Sequence, residues 1–421
     1  MKHLTAVEAA KLIKSNDRIY LHSVASTPNH LIDAIIARAD ELKNVEFSHI
    51  HTLGSAPYAD PKYKESFKVN SFFIGGNVRH TIKAGNGSYT PVFLSELPKL
   101  FRSGLVPLDV VLLQVSTPDA NGFCSLGPSV VAEPAAIETA KLVIAQVNNY
   151  LPRTFGDATL HLSQIDVLVH HDTPILTEYS STISDAEDKI GSFIAEMIDD
   201  GSTLQMGIGS IPEAVLLKLR NHKHLGLHTE MFADGVIDLI EAGALDCSKQ
   251  VTTNRKATST FCVGTERLYK YIDNNPFFEL RESCYTNDPF VIRQNPKVVA
   301  INSAVEIDLT GQIVADSIGH RLYSGVGGQV DFMRGATMSE GGKAIIALSA
   351  TTKKGENKIV PTLKPGAGVV TSRAHAQFIV TEYGVADLRG KTIDQRVHAL
   401  ANIAHPDFRD DIIKEYYSLT R

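Results

Sequence analysis

The sequence predicts an α/β protein built from two similar domains with mostly parallel sheets, and three observations carry that reading. First, "VVLLQV" (110–115), "LVIAQV" (142–147), "VVAIN" (298–302), "AIIAL" (344–348) and "FIVTE" (378–382) are short, near-continuous apolar runs, as expected of strands covered on both faces. Second, segments of helical period lie between them, such as "SIPEAVLLKLRNH" (210–222) and "DGVIDLIEAGAL" (234–245). Third, the chain repeats itself in order.

The elements follow from the N-terminus. "MKHLTAVEAAKLIKSNDRIYLHS" (1–23) reads as an amphipathic helix and then a strand. Residues 13–28, "IKSNDRIYLHSVASTP", can be laid on 198–212, "IDDGSTLQMGIGSIP": a helix end, a polar turn, a short strand, a small-residue loop, then Pro opening a helix. Next, "DVVLLQVSTPDANGFCSLG" (109–127) resembles "KVVAINSAVEIDLTGQIVADS" (297–317), each an apolar strand followed by a D-x-x-G turn, Asp119 to Gly122 and Asp308 to Gly311. Finally "IDVLVHHDTPI" (165–175) echoes "QFIVTEYGVAD" (377–387). Two half-chains therefore begin, continue and end alike. The boundary is expected near residue 185, in the polar "TEYSSTISDAEDK", giving domains 1–185 and 186–421.

Composition narrows the function. A chain of 421 residues with 43% hydrophobic and 21% charged residues has material for two cores. A net charge of -6 gives no basic field for nucleic acid. No apolar stretch approaches the ~18 residues of a membrane span. The four cysteines, Cys124, Cys247, Cys262 and Cys284, lie far apart without a CxxC, so neither a disulfide framework nor a zinc site is indicated. The expectation is a soluble cytoplasmic protein, a homo-oligomer of a dimer or larger, that binds no nucleic acid and no membrane.

Common motifs fail in informative ways. "GVADLRGKT" (384–392) has five residues between its glycines where a P-loop has four, and no G-x-G-x-x-G occurs. No G-x-S-x-G elbow supports a serine hydrolase. "SHIHTLG" (48–54) and the pair His170–His171 lack an acidic or cysteine partner at ligand spacing, so no metal is expected. The "GIGSIPEAV" loop (207–215) keeps only its first G-x-G, yet it joins a strand to a Pro-initiated helix and can offer backbone N–H groups to an anion. Its plainer reading is a tight turn.

One constellation stands out. "HLGLHTEMFADG" (224–235) runs from an alternating apolar segment into a helical pattern and leaves Glu230 at the end of the strand, where open parallel sheets bind ligands. "SGVGGQVDF" (324–332) places Gly325, Gly327 and Gly328 where backbone can approach a ligand and aim N–H groups at one point, as an oxyanion requires. Asn287 lies in "CYTNDPFVIR". Glu382 in "VTEYG" also ends an apolar strand, and the residues alone do not separate the two acids.

At these residues the chain resembles a known family. "GIGSIPEAV", "GLHTEMFADGVIDLIEAG", "GVGGQVDF", "VTEYGVADLRGKT", "VSTPDANGFCSLG" and "VNNYLPRTFGD", in that company and over essentially the whole chain, look like the acetyl-CoA hydrolase/transferase family of class I CoA-transferases, most of all its short 4-hydroxybutyrate and butyrate CoA-transferases. The resemblance implies a NagB/RpiA/CoA-transferase-like fold in each domain. It implies Glu230 as nucleophile, with the Asn287 side chain and the Gly328 N–H as oxyanion donors. It implies CoA contacts from Gly207, Ile208, Gly209, Ser210 and Ile211, with Gly325 and Gly327 flanking the oxyanion donor. Lys353 in "ATTKKGEN" and Arg373 in "VVTSRAH" are candidates for the CoA phosphates. Coenzyme A would be substrate and covalent intermediate, with no permanently bound cofactor, and the partners would be acyl-CoA and short-chain carboxylates. An acyl-CoA hydrolase has the same motifs, and a non-catalytic acyl-CoA binding protein is the alternative from another class.

Overall fold

A computed structural model of the chain describes residues 1–178, 182–207 and 209–420. Its contacts divide it into two units: Met1–Tyr179 with Thr258–Thr286, and Ser180–Ala257 with Asn287–Arg421. The expected boundary at 185 falls on the first residue of a helix, and the second domain is not the single stretch 186–421. Residues 258–286 group with the first unit, where several of their hydrogen-bond partners lie. The Val130 N–H donates to Thr260 O at 2.9 Å, the Cys262 N–H to Pro128 O at 2.9 Å, and the Ser283 N–H to Val131 O at 2.9 Å. Arg102 Nη1 reaches Glu282 Oε2 at 2.7 Å.

In the first unit the principal strands are β1 (Lys2–His3), β2 (Arg18–Leu21), β3 (Val45–His49), β4 (Phe67–Ser71), β5 (Gly87–Tyr89), β6 (Val110–Val115), β7 (Leu142–Val147) and β8 (Val167–His170). They lie in the order β1-β8-β7-β6-β2-β3-β4-β5, all parallel. Alternate residues enter two cores. Val111, Leu113 and Val115 join Tyr20 and Phe101, while Val110 and Leu112 join Ile19, Leu21 and Phe47. Burial on both faces is why these strands read as unbroken apolar runs.

In the second unit β9 (Thr203–Met206), β10 (Gly226–Phe232), β11 (Val298–Ser303), β12 (Lys343–Ala347), β13 (Phe378–Thr381) and β14 (Gly384–Asp387) lie in the order β14-β13-β12-β11-β9-β10. Only β14 runs antiparallel to its neighbour in this set. The strands matched by the sequence echo, β2 with β9, β6 with β11 and β8 with β13, stand at the same ranks in the runs β8-β7-β6-β2-β3 and β13-β12-β11-β9-β10. The two D-x-x-G turns are also built alike. Asp119 Oδ1 accepts from Asn121 N and Phe123 N, and Asp308 Oδ1 from Thr310 N and Gln312 N, each at 2.9 Å. Gly122 and Gly311 close these turns at φ 82° and 97°, a region that favours glycine.

Helices α1 (Asp185–Glu196), α2 (Ser210–Lys218), α3 (Gly235–Glu241), α4 (Pro289–Ile292), α5 (Gln329–Met338), α6 (Ile393–Asn402) and α7 (Arg409–Thr420) accompany this sheet. A single core of Ile292, Val298, Ala300, Phe332, Met333, Ile346, Ile379 and Leu400 joins strands β11 to β13 with α4, α5 and α6. No helix among the described residues is long and apolar enough to cross a membrane.

Candidate active site

Glu230 stands near the carboxyl end of β10, past the last residue paired with β9, since the ladder joins Thr203 to Gly226 and Leu204 to Leu227. The strand end is fixed by Thr229, whose Oγ1 accepts from Met206 N at 3.3 Å and donates to Met231 O at 2.8 Å. Glu230 is thereby presented at the carboxyl end of the strand on a rigid element, while keeping a partial opening to solvent.

Two donors meet its carboxylate. Asn287 Nδ2 donates to Glu230 Oε2 at 2.9 Å. The Gly328 backbone N–H donates to the same carboxylate. Asn287 is fully buried just before α4, where Asp288 caps the helix by accepting from Phe290 N at 2.8 Å and Pro289 fills the first helical position. The short "TNDP" is therefore a helix start that holds an amide in place. Gly328 is the N-cap of α5, so the positive end of a ten-residue helix faces the acid. A Cβ at Gly328 would overlap both Glu230 Oε2 and Asn287 Nδ2, and only glycine fits. Gly327, at φ 57°, turns the chain into this cap, and Gly325 and Gly327 are both buried beside it in sequence.

Burial pushes the Glu230 carboxyl up to about 7, and the Asn287 and Gly328 hydrogen bonds pull against that rise. Burial dominates. An acid that titrates near neutrality with one oxygen held by fixed donors suits nucleophilic chemistry at a carbonyl, because the held oxygen can carry the charge of a tetrahedral intermediate.

Glu382 has different surroundings. Its Oε2 accepts from Ala350 N at 2.8 Å, tying β13 to the segment that follows β12. Lys358 lies near it, with burial pulling its ammonium down and the charge of Glu382 opposing that.

The Gly207 loop follows β9. Gly209, at φ 122°, is the N-cap of α2, and Ser210 and Ile211 open the helix. Ile208 lies outside the described residues. Ser210 Oγ donates to Glu187 Oε1. Burial pushes the Glu187 carboxyl up, but hydrogen bonds from Ser184 and Ser210 and the charge of Lys353 leave it below its usual range. The charge of Lys353, which is exposed, is thus felt at the carboxylate that Ser210 binds. Arg373 is exposed, and its carbonyl accepts from Arg396 Nη1 at 2.7 Å. Glu187 was absent from the sequence-based site. Its signal is the S-x-x-E capping box of Ser184 and Glu187, which marks a helix start and hides the second bond to Ser210. Among the described residues no group of three or more His, Cys, Asp or Glu side chains is placed to hold a metal ion.

The family model of the acetyl-CoA hydrolase/transferase N-terminal domain matches residues 1–177, and that of the corresponding C-terminal domain matches 264–416. A succinyl-CoA:acetate/propanoyl-CoA:succinate CoA transferase of Fasciola hepatica is 49% identical over 97% of this chain and 86% of its own. A 4-hydroxybutyrate coenzyme A transferase of Clostridium kluyveri is 44% identical over 99% of this chain and 97% of its own. Among solved structures, a 4-hydroxybutyrate CoA-transferase of Porphyromonas gingivalis aligns with a TM-score of 0.85 at 37% identity, covering 99% of this chain and 98% of that one.

Proposed function

The chain belongs to the acetyl-CoA hydrolase/transferase family, and from that premise we propose that it is a CoA-transferase that moves CoA between short-chain carboxylic acids through a glutamyl-CoA thioester on Glu230. The observation that carries the reading is the convergence of Asn287 Nδ2 and the Gly328 N–H on one nucleophile-bearing carboxylate.

A carboxylate is the right nucleophile for exchange without ATP. Each intermediate must stay about as activated as a thioester, and a seryl ester would be a sink. Glu230 attacks the acyl-CoA carbonyl, the C–S bond breaks, and an acyl-glutamyl anhydride and CoA thiolate form. The thiolate then attacks the glutamyl carbonyl, the anhydride C–O bond breaks, and the first acid leaves as its carboxylate. An incoming carboxylate reverses both steps. In the attack on the glutamyl carbonyl the developing oxyanion is Oε2, the oxygen that Asn287 holds, and each fixed donor contributes on the order of 10²–10³ in rate. The Gly207–Ile211 turn, the α2 N-terminus and Lys353 are assigned to CoA, supported by the charge of Lys353 acting on Glu187, the partner of Ser210.

Acetate with 4-hydroxybutyrate or butyrate is the exchange pair we assign. The Clostridium kluyveri relative and a butyryl-CoA:acetate CoA-transferase of Anaerostipes caccae, 37% identical, support it. The four cysteines are unbridged, which supports a reducing, cytoplasmic setting.

Incubation with acetyl-CoA and no acceptor is expected to build a protein carrying the mass of CoA less water. Borohydride should reduce that thioester and block the enzyme. Glu230→Gln should form no adduct and exchange no CoA, whereas Glu382→Gln should still form it. An adduct mapped to Glu382, or CoA released steadily without acceptor, would overturn the assignment.

A further inference from the structure

Glu230 and Asn287 come from distant parts of the chain, 57 residues apart, yet they meet at hydrogen-bonding distance. A second tie joins the same two segments. His228 is two residues before Glu230 on β10, so both side chains leave the same face of the strand. His228 Nδ1 lies 3.2 Å from Thr252 Oγ1, and Thr252 Oγ1 donates to Asn295 Oδ1 at 3.0 Å. Because that bond uses the only proton of the Thr252 hydroxyl, His228 Nδ1 is the donor to Thr252. Asn295 follows α4, the helix that Asn287 precedes. The relay therefore runs from the strand of the nucleophile to the segment of its donor. His228 also meets the ring of Phe332, four residues beyond Gly328 on α5, with centroids 6.3 Å apart.

The backbone around Thr252 is held at a cost. Thr253, Asn254 and Arg255 occupy the left-handed region in succession, at φ 53°, 50° and 62°, a conformation that residues with a Cβ rarely adopt. Side chains clamp this strap. Gln250 Oε1 accepts from Leu227 N at 3.0 Å, and its Nε2 donates to Lys256 O at 2.8 Å. Asn295 Oδ1 accepts from Val251 N and Thr252 N, both at 3.1 Å, besides the Thr252 hydroxyl. Asn295 is itself locked by Ser339 Oγ, which donates to its carbonyl at 2.7 Å. All these groups are within the second unit.

We propose that Thr252 is a positioning residue of the transfer reaction, holding His228 and Asn295 so that Glu230 and Asn287 keep the separation the chemistry needs. The inference rests on Glu230 as nucleophile. Strain in a loop that touches no reacting atom, together with the convergence of its bonds on the two segments bearing the reacting pair, is what distinguishes Thr252 from an ordinary buried threonine. A small displacement of a reacting group costs up to about 100-fold in rate.

The test compares Thr252→Val, which keeps the shape and removes the hydroxyl, with Thr252→Ser, which restores it, in the full-length protein turning over acetyl-CoA and a short carboxylate. Thr252→Val should lower kcat by about 10- to 100-fold while KM for acetyl-CoA changes less than about twofold, and Thr252→Ser should recover most of kcat. His228→Gln, which breaks the relay at its other end, gives the same kcat-selective loss and decides the matter should Thr252→Val not fold. Parental kcat in either soluble variant, or a serine variant as slow as the valine one, overturns the proposal. Absence of CoA exchange in the parent itself would instead sink the assignment of function.

Discussion

As the proposed nucleophile, Glu230 must shed its proton before it can attack, and burial holds that proton on to about pH 7. The second-order rate with acyl-CoA should therefore fall as pH drops through about 7, where an unperturbed glutamate would stay active to about 4.3. Stability runs the other way. The folded state binds the proton more tightly than the unfolded chain, so in the window between the ordinary glutamate value and about 7 this group adds stability as pH falls and removes it as pH rises. Glu230→Gln should accordingly melt higher than the parent at pH 8, with the gap closing toward pH 4. Asn287 opposes the rise by its hydrogen bond, so Asn287→Ala should move the acid limb of the rate profile above its parental position and lower kcat by roughly 10²–10³. A limb that stays near 4 in the parent, or fails to move in Asn287→Ala, would show that another group controls the profile.

At the scale of elements, the site is two helix starts brought against one strand end. Gly335 lets this happen: it lies inside α5, and a Cβ there would press into Ile292 of α4, the helix that Asn287 precedes. Glycine within a helix ordinarily costs about 1 kcal/mol relative to alanine. Here the sign should invert, with Gly335→Ala losing roughly 1–3 kcal/mol in urea unfolding through overpacking and slowing turnover by shifting α4. Trimming the partner in Gly335→Ala with Ile292→Ala should give part of the rate back. A more stable, fully active Gly335→Ala would refute this account. The same packing explains what the sequence disclosed. The strands were legible because burial on both faces leaves an uninterrupted apolar signature, and Glu230 was legible as a strand-terminal acid. Its separation from Glu382 needed the family motifs, because both acids end buried strands and they differ only in what reaches them across the fold. Thr252 and Gly335 gave no local signal, and the capping box of Glu187 marked only a helix start, since the roles of all three are contacts with residues remote in sequence.

The whole molecule departs from its sequence reading at one place, and there the duplication has a consequence for folding. The half-chains share a strand order, yet residues 258–286 are inserted in the second half and belong to the first unit. Nothing local marks this, because the segment is an ordinary mixture of strand and helix. Leu268, Tyr269, Ile272, Phe278 and Leu280 are all buried within it, and Leu280 lies in the same core cluster as Val111 and Phe101. Burying such side chains contributes roughly 1.5–3 kcal/mol each, so the five together match the ~5–15 kcal/mol by which a domain is stable. Glu282 is equally committed: it accepts from Ala135 N at 3.0 Å and pairs with Arg102 at 2.7 Å, and its loss would strand a buried backbone donor. A fragment of residues 1–179, although it contains one complete eight-stranded sheet, should therefore lack a cooperative thermal transition and bind hydrophobic dye, whereas the same fragment with residues 258–286 attached through a flexible linker should unfold cooperatively. If the bare fragment is monomeric and melts as sharply as the linked one, the returning segment is an accessory to the first unit and not part of its core.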